Sequence, residues 1–269
     1  MSPSAQHLQW SGHTDRGKVR PNNEDAFLTL QFDAREVHYV GKIGESTTEH
    51  ADFVFAVSDG MGGAKAGEFA SRIAVEKIAH LLPRAYKQSA VGLNAGHADV
   101  LTELFGEIHK ALLHLGFSYQ ECAGMGATLS LCWFTPGWMH FGHVGDSRIY
   151  YLPAGESTAR QITHDDTHVG WLRRHGQLNE REARSHPRRN VLQKALGAGH
   201  QFADPQVGSV GCEPGDTFLL CTDGVVDGLH DQRLCELLCA RATGAPELVA
   251  AAVENSGRDN TTAIVIRVR

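Results

Sequence analysis

The stretch Phe53-Val-Phe-Ala-Val-Ser-Asp-Gly-Met-Gly-Gly63 decides how the chain is read. Its first half is an unbroken apolar run, which predicts a buried strand. Asp59 follows, and then three glycines in four residues. A carboxylate at a strand end, on a turn too tight for side chains, usually faces a cleft. Gly60, Gly62 and Gly63 allow positive φ or close backbone approach, so a ligand can lie against the main chain. A helix-forming stretch runs on from about Ala66 to Leu82. A plain left-handed turn between strand and helix would account for this unit by itself. A second copy weighs against that: Phe218-Leu-Leu-Cys-Thr-Asp-Gly224 is again an apolar strand running out into Asp-Gly. Two strand ends that present Asp-Gly suggest two carboxylates meeting at one site.

The rest of the chain suits a soluble globular protein. Its 269 residues can bury a full core, with 42% hydrophobic and 21% charged residues. The formal net charge of −6 implies no nucleic-acid-binding surface. No apolar run approaches the ~20 residues that span a bilayer. Met1 to Trp10 lacks the basic-then-apolar pattern of a signal peptide. Six cysteines, at 122, 132, 212, 221, 235 and 239, form no Cys-x-x-Cys pair and read as reduced, mostly buried thiols of a cytoplasmic protein. The sixteen histidines show no metal-ligand spacing and read as surface or packing residues.

Taken in order, residues 1–9 read as a short lead-in or edge strand. Ser11 to Phe27 is rich in turn residues, and Asp25-Ala-Phe-Leu28 leads into a strand. Residues 41–50 read as a hairpin-like connection. Two helices are expected between 64 and 120, with a small-residue loop from Ser89 to Gly96. Strands at 126–134, 138–144 and 147–152 suggest an antiparallel meander. Residues 153–216 form a polar excursion with short helices at Val169–His175 and Asn179–Arg184. A strand at 217–221, helices at Gln232–Ala240 and Pro246–Asn255, and a central, buried strand from Thr261 to Val268 complete the chain.

The acids at strand edges are Asp25, Asp59, Asp146, Asp223, Asp227 and Asp259. Each neighbours Gly or Asn, or lies near an apolar strand. Carboxylates converging at one end of a sheet repel unless cations neutralise them. An all-oxygen donor set suits Mg²⁺ or Mn²⁺ rather than Zn²⁺. Two such ions, about 3.5–4 Å apart, can hold both attacking and leaving oxygens of a phosphoryl displacement. Asp146 has a simpler reading too, as a turn-capping residue bonded to the amide of Ser147 or Arg148. Taken by itself, Arg20 beside Glu24 and Asp25 fits a solvated charged loop better than a binding role.

Nine motifs occur in one order along the chain. They are Arg20-x-x-x-Glu24-Asp25, Val57-Ser-Asp-Gly-Met-Gly-Gly63, Gly124-Met-Gly-Ala-Thr128, Val144-Gly-Asp-Ser-Arg148 and Thr163-His-Asp165. His186-Pro-x-x-Asn190, Ala195-Leu-Gly197, Cys221-Thr-Asp-Gly224 and Gly257-Arg-Asp-Asn-Thr261 follow. Each is weak alone, but the ordered set is specific. The chain in this respect resembles the metal-dependent PP2C-type (PPM) protein serine/threonine phosphatases, in particular the bacterial stand-alone catalytic domains. That resemblance implies an α+β fold of four layers, α-β-β-α: two antiparallel sheets face to face, with helices on both outer faces. It implies one catalytic domain over 1–269, with a flap at about 165–195.

It also implies a site. Asp25, Asp59, Asp223 and Asp259, with the Gly60 carbonyl, would hold two Mn²⁺ or Mg²⁺ ions directly or through their waters. Asp146 and Asp227 would take a third, weakly held ion. Arg20 would clamp the substrate phosphate, and Glu24 and Asn260 would hold the ligands in place. The implied reaction is direct hydrolysis of phosphoserine or phosphothreonine by a metal-bridging hydroxide, without a phosphoenzyme. Substrates would be phosphorylated proteins, with a Ser/Thr protein kinase or its targets as partners, no nucleic acid and no membrane, and a monomeric enzyme. Three positions depart from the family pattern. Met61 stands where many eukaryotic members carry a histidine proposed as general acid, which leaves metal-bound water to protonate the leaving group. Asp165-Asp166-Thr167 replaces Asp-His-Ser, and Gly126-Ala127-Thr128 replaces Gly-Thr-Thr, a change expected to concern packing.

Two other readings compete. A regulatory module that had lost catalysis should lack a core acid, and none is missing. A nuclease or small-phosphoester phosphatase would keep the acids, but a nuclease sits poorly with the negative charge and the absence of a basic stripe.

Overall fold

A computed structural model of the chain describes residues 5–33, 35–90 and 96–269. The elements run β1 (His7–Asp15), β2 (Asp25–Phe32), β3 (Val37–Tyr39), β4 (Ile43–Thr47), β5 (Asp52–Met61), α1 (Ala64–Ala90) and α2 (His97–Ser118). Next come β6 (Gly126–Ala127), β7 (Leu129–Thr135), β8 (Trp138–Val144), β9 (Arg148–Leu152), β10 (Arg160–Gln161), α3 (His168–Arg174) and α4 (Glu180–Ser185). The remainder is β11 (Leu196–Gly197), β12 (Gln206–Gly211), β13 (Thr217–Cys221), α5 (Asp223–Gly228), α6 (Asp231–Cys239), α7 (Ala245–Asn255) and β14 (Thr261–Val268). One sheet has the order β10-β9-β13-β14-β1-β4. The other runs β11-β6-β5-β7-β8-β12, with β2 paired to β5 and β3 to β2.

Side-chain alternation explains why these strands stack into layers. Along β5, Val54 and Ala56 point to a core shared with Ala70, Ala74 and Ile78 of α1 and Leu101, Leu104 and Phe105 of α2. Phe53, Phe55 and Val57 point the other way, into a core between the sheets with Leu8, Phe218, Ile264 and Ile266. On the far side of the second sheet, Leu219, Cys221, Ala263 and Val265 meet Val225 of α5, Leu234 and Leu238 of α6 and Leu248 of α7. Three apolar interfaces therefore separate four layers, α-β-β-α, as expected. A strand buried on both faces needs apolar residues at every position, which is why 53–57 and 261–266 read as unbroken or β-branched runs.

Five expectations change. β1 is an interior strand, paired with β14 and β4, rather than a lead-in or edge; residues 1–4 of that expected lead-in lie outside the described residues. β4 lies inside the expected connection at 41–50. It escapes a hydrophobic pattern because Gly44 leaves room for the Trp10 indole, which a Cβ there would meet at 2.4 Å. The meander stops after β8: β9 joins the other sheet, beside β13. β12, absent from the sequence reading, pairs with β8 along all six residues. α1 extends to Ala90, so Ser89 and Ala90 are helical; residues 91–95 of the expected loop lie outside the described residues. Among the described residues no helix is long and apolar enough to cross a membrane.

Candidate active site

The end of β5 meets the start of β2 at one end of the sandwich. Asp25 and Asp59 are register partners there, directly opposite across the antiparallel pair. Like charges in that position destabilise a sheet. Asp25 is buried, and its Oδ2 accepts hydrogen bonds from the Thr222 and Thr262 hydroxyls at 2.8 and 2.7 Å. Those threonines flank Asp223 and Asp259, so one carboxylate ties β2 to the ends that carry the other two acids. Asp25 Oδ1 and Asp223 Oδ1 are buried and find no hydrogen-bond partner among the described residues.

The glycines fix the frame by letting backbones touch. A Cβ on Gly60 would stand 1.9 Å from the Gly67 carbonyl oxygen in α1. A Cβ on Gly224 would stand 2.0 Å from the Asn260 carbonyl oxygen. Both Asp-Gly pairs therefore need glycine for close approach. Positive φ belongs instead to Gly62 and Gly63. Asn260 pins the loop that carries Arg20. Its side-chain oxygen accepts from the Glu24 amide at 2.7 Å, and its Nδ2 donates to the Arg16 and Asn22 carbonyls.

Thr128 belongs to a motif noted in the sequence, but the sequence reading gives it no role. Its hydroxyl accepts from the Asp59 amide at 3.0 Å and lies 2.7 Å from the Ser147 hydroxyl, next to Asp146. Its own amide donates to the Asp59 carbonyl at 2.8 Å. The Gly-x-Thr spacing was visible, but the role needs the contact. Asp146 sits where the chain changes sheets. Gly145 takes φ 112° there, and its amide donates to Asp166 Oδ2 at 3.0 Å. Asp165 forms a two-bond pair with Arg148, at 2.9 and 2.6 Å.

Two guanidiniums hold acids of the group. Arg20 Nη2 donates to Asp259 Oδ2 at 2.7 Å. Arg189, in the segment between α4 and β11, donates through both Nη1 and Nη2 to Asp227. The motif His186-Pro-x-x-Asn190 contains Arg189, yet nothing local points to Asp227. Asn190 and Arg189 line one groove with Asp146, Asp223 and Asp227.

Burial and mutual repulsion raise the acids. Burial, only partly offset by the threonine hydroxyls, pushes Asp25 up to about 7. Burial and the Asp165 charge push Asp146 up to about 7. Asp59 is held well above the carboxylate range by burial and by Asp25, Asp223, Asp146 and Asp259. Asp223 is raised by burial and by Asp146, Asp259, Asp227 and Asp25. Among the described residues no three His, Cys, Asp or Glu side chains stand as a ready-made metal cage. The donors nevertheless fit a hard cation: orphaned buried carboxylate oxygens, acids that repel one another, and no sulfur or imidazole among them.

A pH dependence follows for the metal-free protein. A carboxyl raised in the folded state binds its proton more tightly there than in the unfolded chain, where it titrates near 4. Folding is then favoured at low pH, and stability falls as pH rises from about 4 through 7. Melting temperatures in EDTA should drop between pH 5 and pH 8, and Mn²⁺ should flatten or reverse the drop. A melting temperature that rises with pH in EDTA would contradict the repelling cluster.

Comparison with known proteins gives a consistent picture. The family model described as "Protein phosphatase 2C" matches residues 42–250. The serine/threonine protein phosphatase PstP of Mycobacterium tuberculosis is 33% identical over 97% of this chain. The chain spans only 45% of that relative's length. The serine/threonine phosphatase stp of Listeria innocua is 31% identical over 94% of this chain and 93% of its own. Among solved structures, the catalytic domain of PstP in complex with two manganese ions aligns with a TM-score of 0.76 and 30% identity, over 98% of this chain and 99% of that one.

Proposed function

The chain belongs to the protein phosphatase 2C family, and on that footing we propose that it is a metal-dependent protein serine/threonine phosphatase. The observation that carries the reading is the pairing of Asp25 with Asp59 across β2 and β5, with buried, unpartnered oxygens on Asp25 and Asp223. Asp25, Asp59, Asp223, Asp259 and the Gly60 carbonyl would hold two Mn²⁺ or Mg²⁺ ions, and Asp146 and Asp227 a third, weaker one. When bound, the ions would supply a metal-bridging hydroxide for direct attack on phosphorus, and a cationic field for the leaving oxygen.

The protein groups orient and exclude. Thr222 and Thr262 hold Asp25, Thr128 holds Asp59 beside Ser147, and Asn260 holds the Arg20 loop. Arg20 would turn its planar fork to the substrate phosphate once Asp259 is engaged by a cation. Burial pushes the Cys212 and Cys221 thiols up to about 12, which disfavours thiolate chemistry at either. The substrates proposed are phosphorylated proteins, including a Ser/Thr kinase or its targets. The enzyme is proposed to be a monomeric, cytoplasmic catalytic domain over 1–269, with residues 165–195 as its flap.

Arg20→Ala should raise KM for a phosphothreonine peptide and lower kcat/KM by about 10–100-fold, the weight of a charge-assisted bidentate contact. Mn²⁺ affinity should change little. An unchanged KM with weakened Mn²⁺ binding would reassign Arg20 to holding Asp259, as it does in this structure.

The functional test compares a phosphothreonine peptide with nucleotides and a DNA duplex, with Mn²⁺ and with EDTA. Mn²⁺-dependent release of phosphate from the peptide is expected, with none in EDTA. Full activity in chelator, or turnover confined to nucleotides or DNA, would reject the reading.

A further inference from the structure

We propose that the outer face of the flap docks an acidic, Asp- and Glu-rich segment of the phosphoprotein substrate, beside the phosphorylated residue. The proposal rests on the phosphatase reading and adds the substrate class. Residues 168–194 carry six arginines and one lysine against two glutamates, in a chain whose net formal charge is −6. Several of these cations fasten the flap to the body. Arg173 pairs with Asp231 at 2.6 Å, Arg184 donates to the Val226 and Leu229 carbonyls, and Arg189 grips Asp227. Arg181 and Arg188 are different. Both are exposed, and neither has a carboxylate partner among the described residues.

Their position gives them a use. Arg188 directly precedes Arg189 and Asn190, which line the groove with Asp146 and Asp223. Arg181 lies on α4, which ends at Ser185, just before the turn that carries Arg188. Neighbouring α3 adds Trp171, 39% exposed and stacked on His175 at 4.1 Å. The groove is lined by five acids, and its four arginines, Arg148, Arg173, Arg184 and Arg189, are each already paired with a carboxylate, so they leave little positive charge free for an anionic segment. Arg181 and Arg188, exposed beside the groove-lining Ala183, Arg184 and Arg189, supply that free positive charge, which raises capture of acidic segments.

The test uses peptides with a non-hydrolysable phosphonate in place of phosphothreonine, bound to the Mn²⁺-loaded protein and read by fluorescence anisotropy. One peptide has Glu/Asp flanks, one has alanine flanks, and one has a second phosphonate on an alanine background. The acidic peptide should bind about tenfold tighter than the alanine peptide at low salt, as expected for two or three screened charge contacts. The preference should vanish in Arg181→Glu/Arg188→Glu and at high salt. Equal binding of acidic and alanine peptides, or a preference that survives the double variant, would overturn the proposal. A gain seen only with the second phosphonate would also overturn it, by assigning the face to phosphate. Turnover of p-nitrophenyl phosphate is measured in parallel and should be unchanged in the double variant. Loss of wild-type turnover on every phosphoester would defeat the phosphatase reading, while the anisotropy comparison still decides the docking face.

Discussion

Asp223→Asn should lower Mn²⁺-supported turnover of a phosphothreonine peptide by about 10²–10³-fold, the several kcal/mol that a metal ion supplies to a charged transition state. Asp223 Oδ1 is buried and unpartnered, at the start of α5, and repelled by Asp146, Asp259, Asp227 and Asp25. Removing its charge relieves that repulsion, so the melting temperature of the metal-free variant should rise even as turnover collapses. The two opposite shifts separate a ligand role from a structural one. A variant within tenfold of wild type, or one that melts lower in EDTA, would mean that Asp223 is not part of a metal-holding cluster.

Gly60→Ala should strongly destabilise the protein. Its Cβ would fall 1.9 Å from the Gly67 carbonyl oxygen and 3.0 Å from the Glu24 carbonyl oxygen, and neither backbone can swing aside as a side chain would. The Gly60 amide also donates to that Glu24 carbonyl at 3.2 Å. The end of β5 must therefore part from α1 and from β2 together. A loss of about 3 kcal/mol or more is expected, at the upper end for overpacking. That corresponds to roughly 5–10 °C in Tm. Gly63→Ala is the control. Gly63 sits at φ 85° with nothing within 4 Å of its Cβ position, so only the left-handed backbone is penalised, by about 1–2 kcal/mol. Thermal melts of both variants decide. Equal losses would mean that the glycines serve turn geometry and not close approach.

Much of this was legible because it is encoded locally. A strand buried on both faces leaves a continuous apolar run, and Asp59 and Asp259 each stand at the end of one. The periodicity of Leu101, Leu104, Phe105, Ile108 and Leu112 placed α2, and all five are buried. What stayed hidden depends on partners far along the chain. Trp10 fills the place that a side chain at 44 would occupy, so β4 carries no hydrophobic signature. β8 and β9 are separated by a short turn and look like hairpin arms, but Gly145 turns the chain into the other sheet. Arg20 lies four residues from Glu24, yet it bonds Asp259 across 239 positions. Thr128 has no role in the sequence reading because its partners, Asp59 and Ser147, lie 69 and 19 residues away. Arg189 sat in a recognised motif with no local hint of Asp227.

The central claim is that these carboxylates form a site for hard divalent cations. Calorimetric titration of the metal-free protein with Mn²⁺ at neutral pH tests it most directly. Two tightly bound ions per chain are predicted, with protons released as the raised carboxyls ionise, and with at least one ion lost in Asp223→Asn. No Mn²⁺ binding, or binding that Asp223→Asn leaves unchanged, would contradict the account.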